Sequence, residues 1–429
     1  MKKHVWLSST PSKMAAVFWL LSLFGGCSQN GQPRFFSDQA YHFQTLRALN
    51  DIRADGADTS EVLETIKHIK QGDAQSWYAA WEKTGNRVLQ RAETIADPMS
   101  RGQAYLRAHN YLRTAEFFLP PHDPKRPQAF KKNVEAFHLG LKALNVSYQR
   151  LQFPYGAHHL NGIYYPGPAG AESKPLIVLC GGFDSTLEEL YFILVRAAHE
   201  RGYSVLTYEG PGQGAVLREQ NLEFTPEWEK PTAAVIDTFL TTHAKPSKII
   251  LVGMSLGGYL APRAAAFDHR IDGVVAYDVL YDYGEVAERA VPSFVLLLHR
   301  HGFDKVVNAL VAVKAWWSPG FAWGVNNGMW TMHTGSAMET LEAFRIYTLE
   351  KIAGNIKADV LILAGEHDHF IPVHQADDFR NKLTNARSVT TQIYDRESGG
   401  AEHCQLGAQT LWHADFFDWM TQRFGPSAP

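Results

Sequence analysis

The chain has 429 residues, 45% of them hydrophobic, enough for a large core and for more than one structural unit. A formal charge of −3 with no long single-sign run gives no drive toward nucleic acid or an anionic membrane surface. Three cysteines are too few for a disulfide framework and lack zinc spacing, so Cys180 and Cys404 read as free thiols.

The first residues differ from the rest. Lys2 and Lys3 open a basic segment, Met14 to Phe24 is apolar except for Ser22, and Gly25-Gly26-Cys27 follows. The apolar run is about half the length of a membrane-spanning helix, which fits the core of a secretion signal. Small residues directly before a cysteine resemble a bacterial lipobox. The expectation is therefore a signal segment over 1–27, acylation of Cys27, and an exported protein held at a cell envelope only by that lipid. Ordinary signal cleavage with an unmodified cysteine is the other reading. A polar linker, 28–34, comes next.

Residues 35–146 read as a helical domain, with apolar residues at helical spacing (Leu63, Ile66, Ile69; Trp77, Trp81, Val88) and no strand alternation. In "RGQAYLRAHNYLRTAEFFLP", Tyr105, Ala108, Leu112 and Ala115 share a face and form a core stripe, while Arg113 and Glu116 lie elsewhere. The sharper alternative is that Arg107, Asn110, Tyr111 and Thr114, on another side, line a pocket.

From 147 to 429 the pattern changes. "PLIVLC", "YSVLTYE", "KIILVG", "IDGVVAYD" and "ADVLILAG" are branched apolar runs separated mostly by helical spacers, the signature of a mostly parallel sheet covered on both faces. Functional residues are then expected at the carboxyl ends of these strands. Residues 279–357 lose strand character and carry Trp316, Trp317, Trp323 and Trp330, which suggests a helical cap inserted over the sheet.

In "KIILVGMSLGGYLAPRAAAF" a serine stands between Gly253 and Gly257, where a buried strand becomes a helix. Such a turn leaves the Ser255 hydroxyl exposed, with Pro262 tolerated near the helix start. A serine nucleophile needs a base to take its proton and a carboxylate to orient that base. "LILAGEHDHFIP" supplies Asp368 just past a strand, and "RESGGAEHCQLG" supplies His403 before a last helix expected over 405–424. Asp278, at the end of the preceding strand, is an alternative acid. His367, His369 and His374 would be the start of a metal site, but their spacing is loose, and no metal or cofactor is expected. The oxyanion hole calls for two backbone N–H groups, one from Leu256 and one from Phe183 or Gly182 in "CGGFDSTLEEL", where Gly181 and Gly182 allow close approach.

The motifs "GGFDSTLEELYF", "YEGPGQG", "VGMSLGGYLAPRAAA", "NNGMWTMH" and "LAGEHDHFIP", with "YLRAHNYLRTAEFFL", resemble the α/β-hydrolase family with an N-terminal helical domain. That family contains 2,6-dihydroxypseudooxynicotine hydrolase and fungal hydrolases that shorten polyketide naphthopyrones. The resemblance implies an α/β-hydrolase fold and a triad of Ser255, Asp368 and His403. It also implies a substrate held between helical domain and sheet, near Trp330, and cleavage of a carbon–carbon bond next to a carbonyl, with Asp282 and Glu285 as candidates for an extra carboxylate. The expected partner is a small carbonyl compound, an aromatic or polyketide-like ketone or an ester. A plain carboxylesterase or peptidase, and a surface-anchored binding protein that lost catalysis, are the rival readings. The oligomeric state stays open, a homodimer included.

Overall fold

The computed structural model describes residues 34–425, so the signal segment, Cys27 and most of the linker lie outside the described residues. The helical layer starts from aspartates. Asp38, Asp58, Asp73 and Asp97 each accept N–H bonds from the first turn of the helix that follows, which satisfies donors that have no partner within the helix. These helices are α1 (Gln39–Asn50), α2 (Thr59–Ile66), α3 (Ala74–Thr94) and α4 (Pro98–Glu116), with α5 (Arg126–Ala143) closing the layer. Trp77 and Trp81 of α3 pack with Tyr41, Tyr111 and Phe118 into a core of their own.

The faces of α4 differ from those its periodicity predicts. From Ala104 to Glu116 every residue except the half-buried Arg107 is buried, Arg113 and Glu116 included. This is the central helix of the layer, flanked by α3 and α5 and backed by the sheet domain, so little of it remains for solvent.

Eight strands follow: β1 (Gln149–Tyr155), β2 (His158–Tyr165), β3 (Leu176–Cys180), β4 (Val205–Glu209), β5 (Ile249–Met254), β6 (Gly273–Tyr277), β7 (Asp359–Gly365) and β8 (Ser388–Tyr394). They lie in the order β1-β2-β4-β3-β5-β6-β7-β8. The sheet is parallel from β4 to β8, and β2 is antiparallel to both β1 and β4. Strands β3 to β7 are the five apolar runs of the sequence and are buried throughout. The runs missed β1, β2 and β8: the edge strands β1 and β8 carry polar, half-exposed residues and need no continuous apolar stretch, and β2 mixes buried with half-exposed residues.

Between the strands lie α6 (Arg196–His199), α7 (Gly214–Gln220), α8 (Glu229–Thr242) and α9 (Gly257–Phe267). Pro262 sits well inside α9 rather than in its first turn. The insertion between β6 and β7 forms α10 (Tyr283–Arg289), α11 (Ser293–Arg300), α12 (Asp304–Trp317), α13 (Pro319–Thr331) and α14 (Ala337–Phe344), and the chain ends with α15 (His374–Lys382) and α16 (Gln409–Phe424). The last helix begins four residues later than its sequence suggests, because Cys404 and Gln405 take left-handed conformations. No helix among the described residues is long and apolar enough to cross a membrane. Cys180 and Cys404 are free and buried.

Candidate active site

Ser255 stands in the turn from β5 to α9 with φ of 60°, and its N–H donates to the Tyr277 carbonyl at 2.6 Å. A Cβ at position 253 would lie 1.9 Å from the Gly257 oxygen, and one at 258 would lie 1.8 Å from the Asp278 oxygen. Glycine at both places is what allows strand, helix and neighbouring loop to meet around the serine.

Two loops bring the other groups. Asp368 follows β7, and its Oδ1 accepts the N–H groups of Phe370 and Ile371 at 2.7 and 3.0 Å. That anchors the carboxylate and turns Oδ2 toward His403 Nδ1, 2.5 Å away. On the other side of the ring, His403 Nε2 lies 2.8 Å from Ser255 Oγ. Burial pulls the His403 imidazolium down, but the Asp368 carboxylate more than offsets this and holds it well above the ordinary histidine range. Asp368 in turn is opposed by burial and held below the usual carboxylate range by His403.

Asp278 is a second buried carboxyl, 3.8 Å from His403 Nδ1. It accepts the Cys404 N–H at 2.7 Å and the Gln405 side-chain amide at 3.1 Å. Its contacts are thus with the left-handed residues just after His403. Burial and the Asp368 charge push it up to about 8. The two carboxyls are therefore driven apart, and the ionised one is the one bonded to the imidazole. Asp278, His403 and Cys404 form the one potential metal-ligand group among the described residues, but both ring nitrogens of His403 are already engaged. His367, His369 and His374 do not come together: His369 lies beside Glu402 and His374 beside Glu285.

The loop after β3 abuts the serine. A Cβ at Gly182 would lie 2.9 Å from both Ser255 Cβ and the Leu256 nitrogen. Gln213, buried just before α7, donates to the carbonyls of Gly181 and Gly182 at 2.8 and 3.0 Å. In a planar trans peptide the N–H points opposite the carbonyl, so the N–H groups of Gly182 and Phe183 are turned away from Gln213. Gln213 lies in "YEGPGQG", a stretch whose spacing marks no role for its glutamine.

Beyond this loop, helical layer, sheet loops and cap meet around a narrow cleft that is partly open to solvent. Arg113 and Glu116 of α4, Arg126, Phe183, Arg218 and Trp330 are among its lining. Of the pocket candidates, Trp330 lines this cleft. Arg107 and Tyr111 do not: both bind Glu61, at 3.0 and 2.9 Å, inside the helical layer. Tyr111 lies about 200° round the helix from Arg113, so the pocket faces a side that apolar periodicity does not mark. Asp282 caps α10, and Glu285 accepts from Gln375 at 2.8 Å; neither lines the cleft. Asn110, proposed with them, ties α4 to the carbonyls of Ala48 and Gly56. The helical layer also reaches the histidine loop, through Phe43, whose ring lies 6.0 Å from that of His403, and Asn50, which accepts the Gly407 N–H.

A serine at a strand-to-helix turn, facing a histidine and an acid on later loops of a mainly parallel sheet, is the arrangement of an α/β-hydrolase. The chain belongs to that family: the profile described as alpha/beta hydrolase fold matches residues 174–395, and that described as Esterase FrsA-like matches residues 49–266. It is 33% identical to Hydrolase acrC of Aspergillus aculeatus over 91% of this chain and 98% of the relative. It is 32% identical to 20-hydroxy-prefusarin hydrolase FUS2 of Gibberella moniliformis, again over 91% and 98%. The crystal structure of 2,6-dihydroxy-pseudo-oxynicotine hydrolase has the same fold, with a TM-score of 0.67 at 18% identity over 88% of this chain and 95% of that one. The protein is thus a hydrolase with a core sheet, an N-terminal helical extension and a helical cap.

Proposed function

We propose that the protein is a serine hydrolase in which Ser255 is the nucleophile, His403 the general base and acid, and Asp368 the orienting carboxylate. The unbroken hydrogen-bonded path from Ser255 Oγ through both nitrogens of His403 to Asp368 carries this reading. His403 takes the hydroxyl proton as Oγ bonds to the substrate carbonyl carbon. The Leu256 and Phe183 N–H groups, with Gly182 keeping the loop close, receive the oxyanion. Collapse breaks the bond to the leaving group, which receives the proton from His403, and water then releases the acid from Ser255 by the same route.

The substrate is a carbonyl compound, an ester or a ketone cleaved at the adjacent carbon–carbon bond. A carbon leaving group must spread its charge into an enolate or phenolic ring, since a free carbanion is too basic to depart, whereas an ester needs no such help. The ketone branch rests on the resemblance of the sequence motifs to hydrolases that cleave carbon–carbon bonds; the relatives support hydrolysis in either branch. Reaction with a fluorophosphonate probe, lost in Ser255→Ala, tests the nucleophile. Turnover of β-diketones or acyl phenols at least as fast as esters of similar size tests the bond; turnover of esters alone would leave a carboxylesterase. Export and acylation of Cys27 belong to the proposal on the strength of the N-terminal sequence, and globomycin-sensitive processing tests them.

A further inference from the structure

The cleft beside the oxyanion loop holds more buried cations than its carboxylates can match. Arg47, on α1, stands just behind it and is fully satisfied: it bonds Asp184 at 2.6 Å and both oxygens of Glu189 at 2.6 and 2.7 Å. Burial opposes its charge, yet Asp184 and Glu189 raise it above the ordinary arginine value. The three arginines that line the cleft are served less well. Arg113 shares Glu189 with Arg47, and its Nη1, buried, has no protein partner. Arg126 and Arg218 share Glu116, at 3.6 and 3.0 Å, and lie over the Trp330 ring at 4.9 and 5.3 Å.

Four guanidiniums therefore face three carboxylates, Glu116, Asp184 and Glu189. The other buried carboxyls on this side are pushed up by burial, Asp51 and Glu209 to about 8 and Glu188 to about 7, so none of them carries a full charge near neutrality. The shortfall appears in the arginines themselves: burial, then Arg47, pulls Arg113 down, and burial pulls Arg126 down to about 10. A buried cation with an unused donor is costly unless an anion completes it. Guanidinium forks match a carboxylate in geometry as well as charge.

We propose that this cleft is a subsite for a carboxylate carried by the substrate, received by Arg113 Nη1 with Arg126 and Arg218 while the reacting carbonyl lies across the oxyanion loop at Ser255. The inference rests on the hydrolase reading for its placement. The loop is the link, since Gly182 touches Ser255 and the next four residues, Phe183 to Thr186, line the cleft. Trp330 supplies an apolar floor under the two arginines, so the group entering the cleft is a carboxylate on a flat or apolar body. The preferred substrates are then acidic acyl compounds, such as half-esters or keto acids, ahead of their neutral analogues.

Calorimetric titration of the full chain carrying Ser255→Ala, with 4-phenylbutyrate against 4-phenylbutyramide, reads the subsite without catalysis. The acid is expected to bind at least about 10-fold tighter, by the usual worth of a charged hydrogen bond, with the margin lost in Arg126→Gln and in the less buried Arg218→Gln and partly kept in Arg126→Lys. Equal affinities, or no binding of the acid, would overturn the proposal. In active enzyme, the ratio of kcat/KM for the p-nitrophenyl half-ester of glutaric acid to that for p-nitrophenyl butyrate should exceed one and fall toward one in both glutamine variants. A preference for the acid in the titration with neither ester hydrolysed would sink the hydrolase reading and leave the subsite standing.

Discussion

The centre around Ser255 and the cleft around Arg113 lie on either side of one loop, yet they are built by different means. The centre is made of short loops at strand ends: the Ser255 turn is fixed by glycines that a Cβ would block, Asp368 by two N–H groups within three residues, and the His403 loop by Asp278 just past the end of β6. The cleft is made of side chains that converge from helical layer, sheet loops and cap, with Arg113 paired to Glu189 and Arg218 to Glu116 across the layers. One is a local device set on a rigid scaffold. The other exists only because three layers dock, and its ion pairs are part of that docking.

The largest effect should separate the two regions outright. Ser255→Ala is expected to lower kcat by about 10⁶-fold while substrate affinity persists, since nucleophile and base act as a unit. Asp368→Asn should cost about 10⁴-fold, through the wrong imidazole tautomer. Asp278→Asn should cost far less, because its bonds go to Cys404 and Gln405 rather than to the ring. Equal losses in a pre-steady-state assay would mean that the two acids share the role.

Gln213→Ala sharpens the comparison at the shared loop. Freeing the Gly181 and Gly182 carbonyls should lower kcat by about 10²-fold with a smaller change in KM, the mark of a disordered oxyanion hole. A change in KM alone would assign Gln213 to the cleft instead. The pH profile follows from His403. Its conjugate acid is held high by Asp368, and the base must be neutral to act, so kcat/KM should still be rising with pH above the ordinary histidine range. In Asp368→Asn that limb should move to lower pH, measurable on the residual activity.

The smallest effect concerns the helical side. Asp51 has a folded-state value of about 8 against an ordinary 3.8, raised by burial and Glu189. Raised in the folded state, its contribution is fully present below the ordinary value and is lost as pH climbs toward about 8. Asp51→Asn should therefore raise the melting temperature by roughly 2–4 °C at pH 9 and by less at pH 5. The reverse order would mean that Asp51 is ionised and paired with Arg47 or Arg113.

Sequence alone determined what rests on short range. Five buried strands, the serine turn, and the acid and histidine in their chain order were legible because each depends on apolar continuity or on glycines within a few residues of the group they position. The mixed sheet was less so, as β1 and β8 at its edges need no apolar run. Tertiary structure decided which side of α4 faces the cleft. Apolar periodicity identified Ala108, Leu112 and Ala115 as core, but a helix covered on nearly every side, with only Arg107 half-exposed after Ala104, has no polar face to mark by contrast. Arg113 and Glu116 became cleft residues, and Arg107 and Tyr111 structural ones, only through partners at Glu189, Arg218 and Glu61. The same holds for Gln213, whose amide acquires its function from two carbonyls thirty-odd residues away. Charge pairing across layers is set by how the layers dock, and no spacing along the chain encodes it.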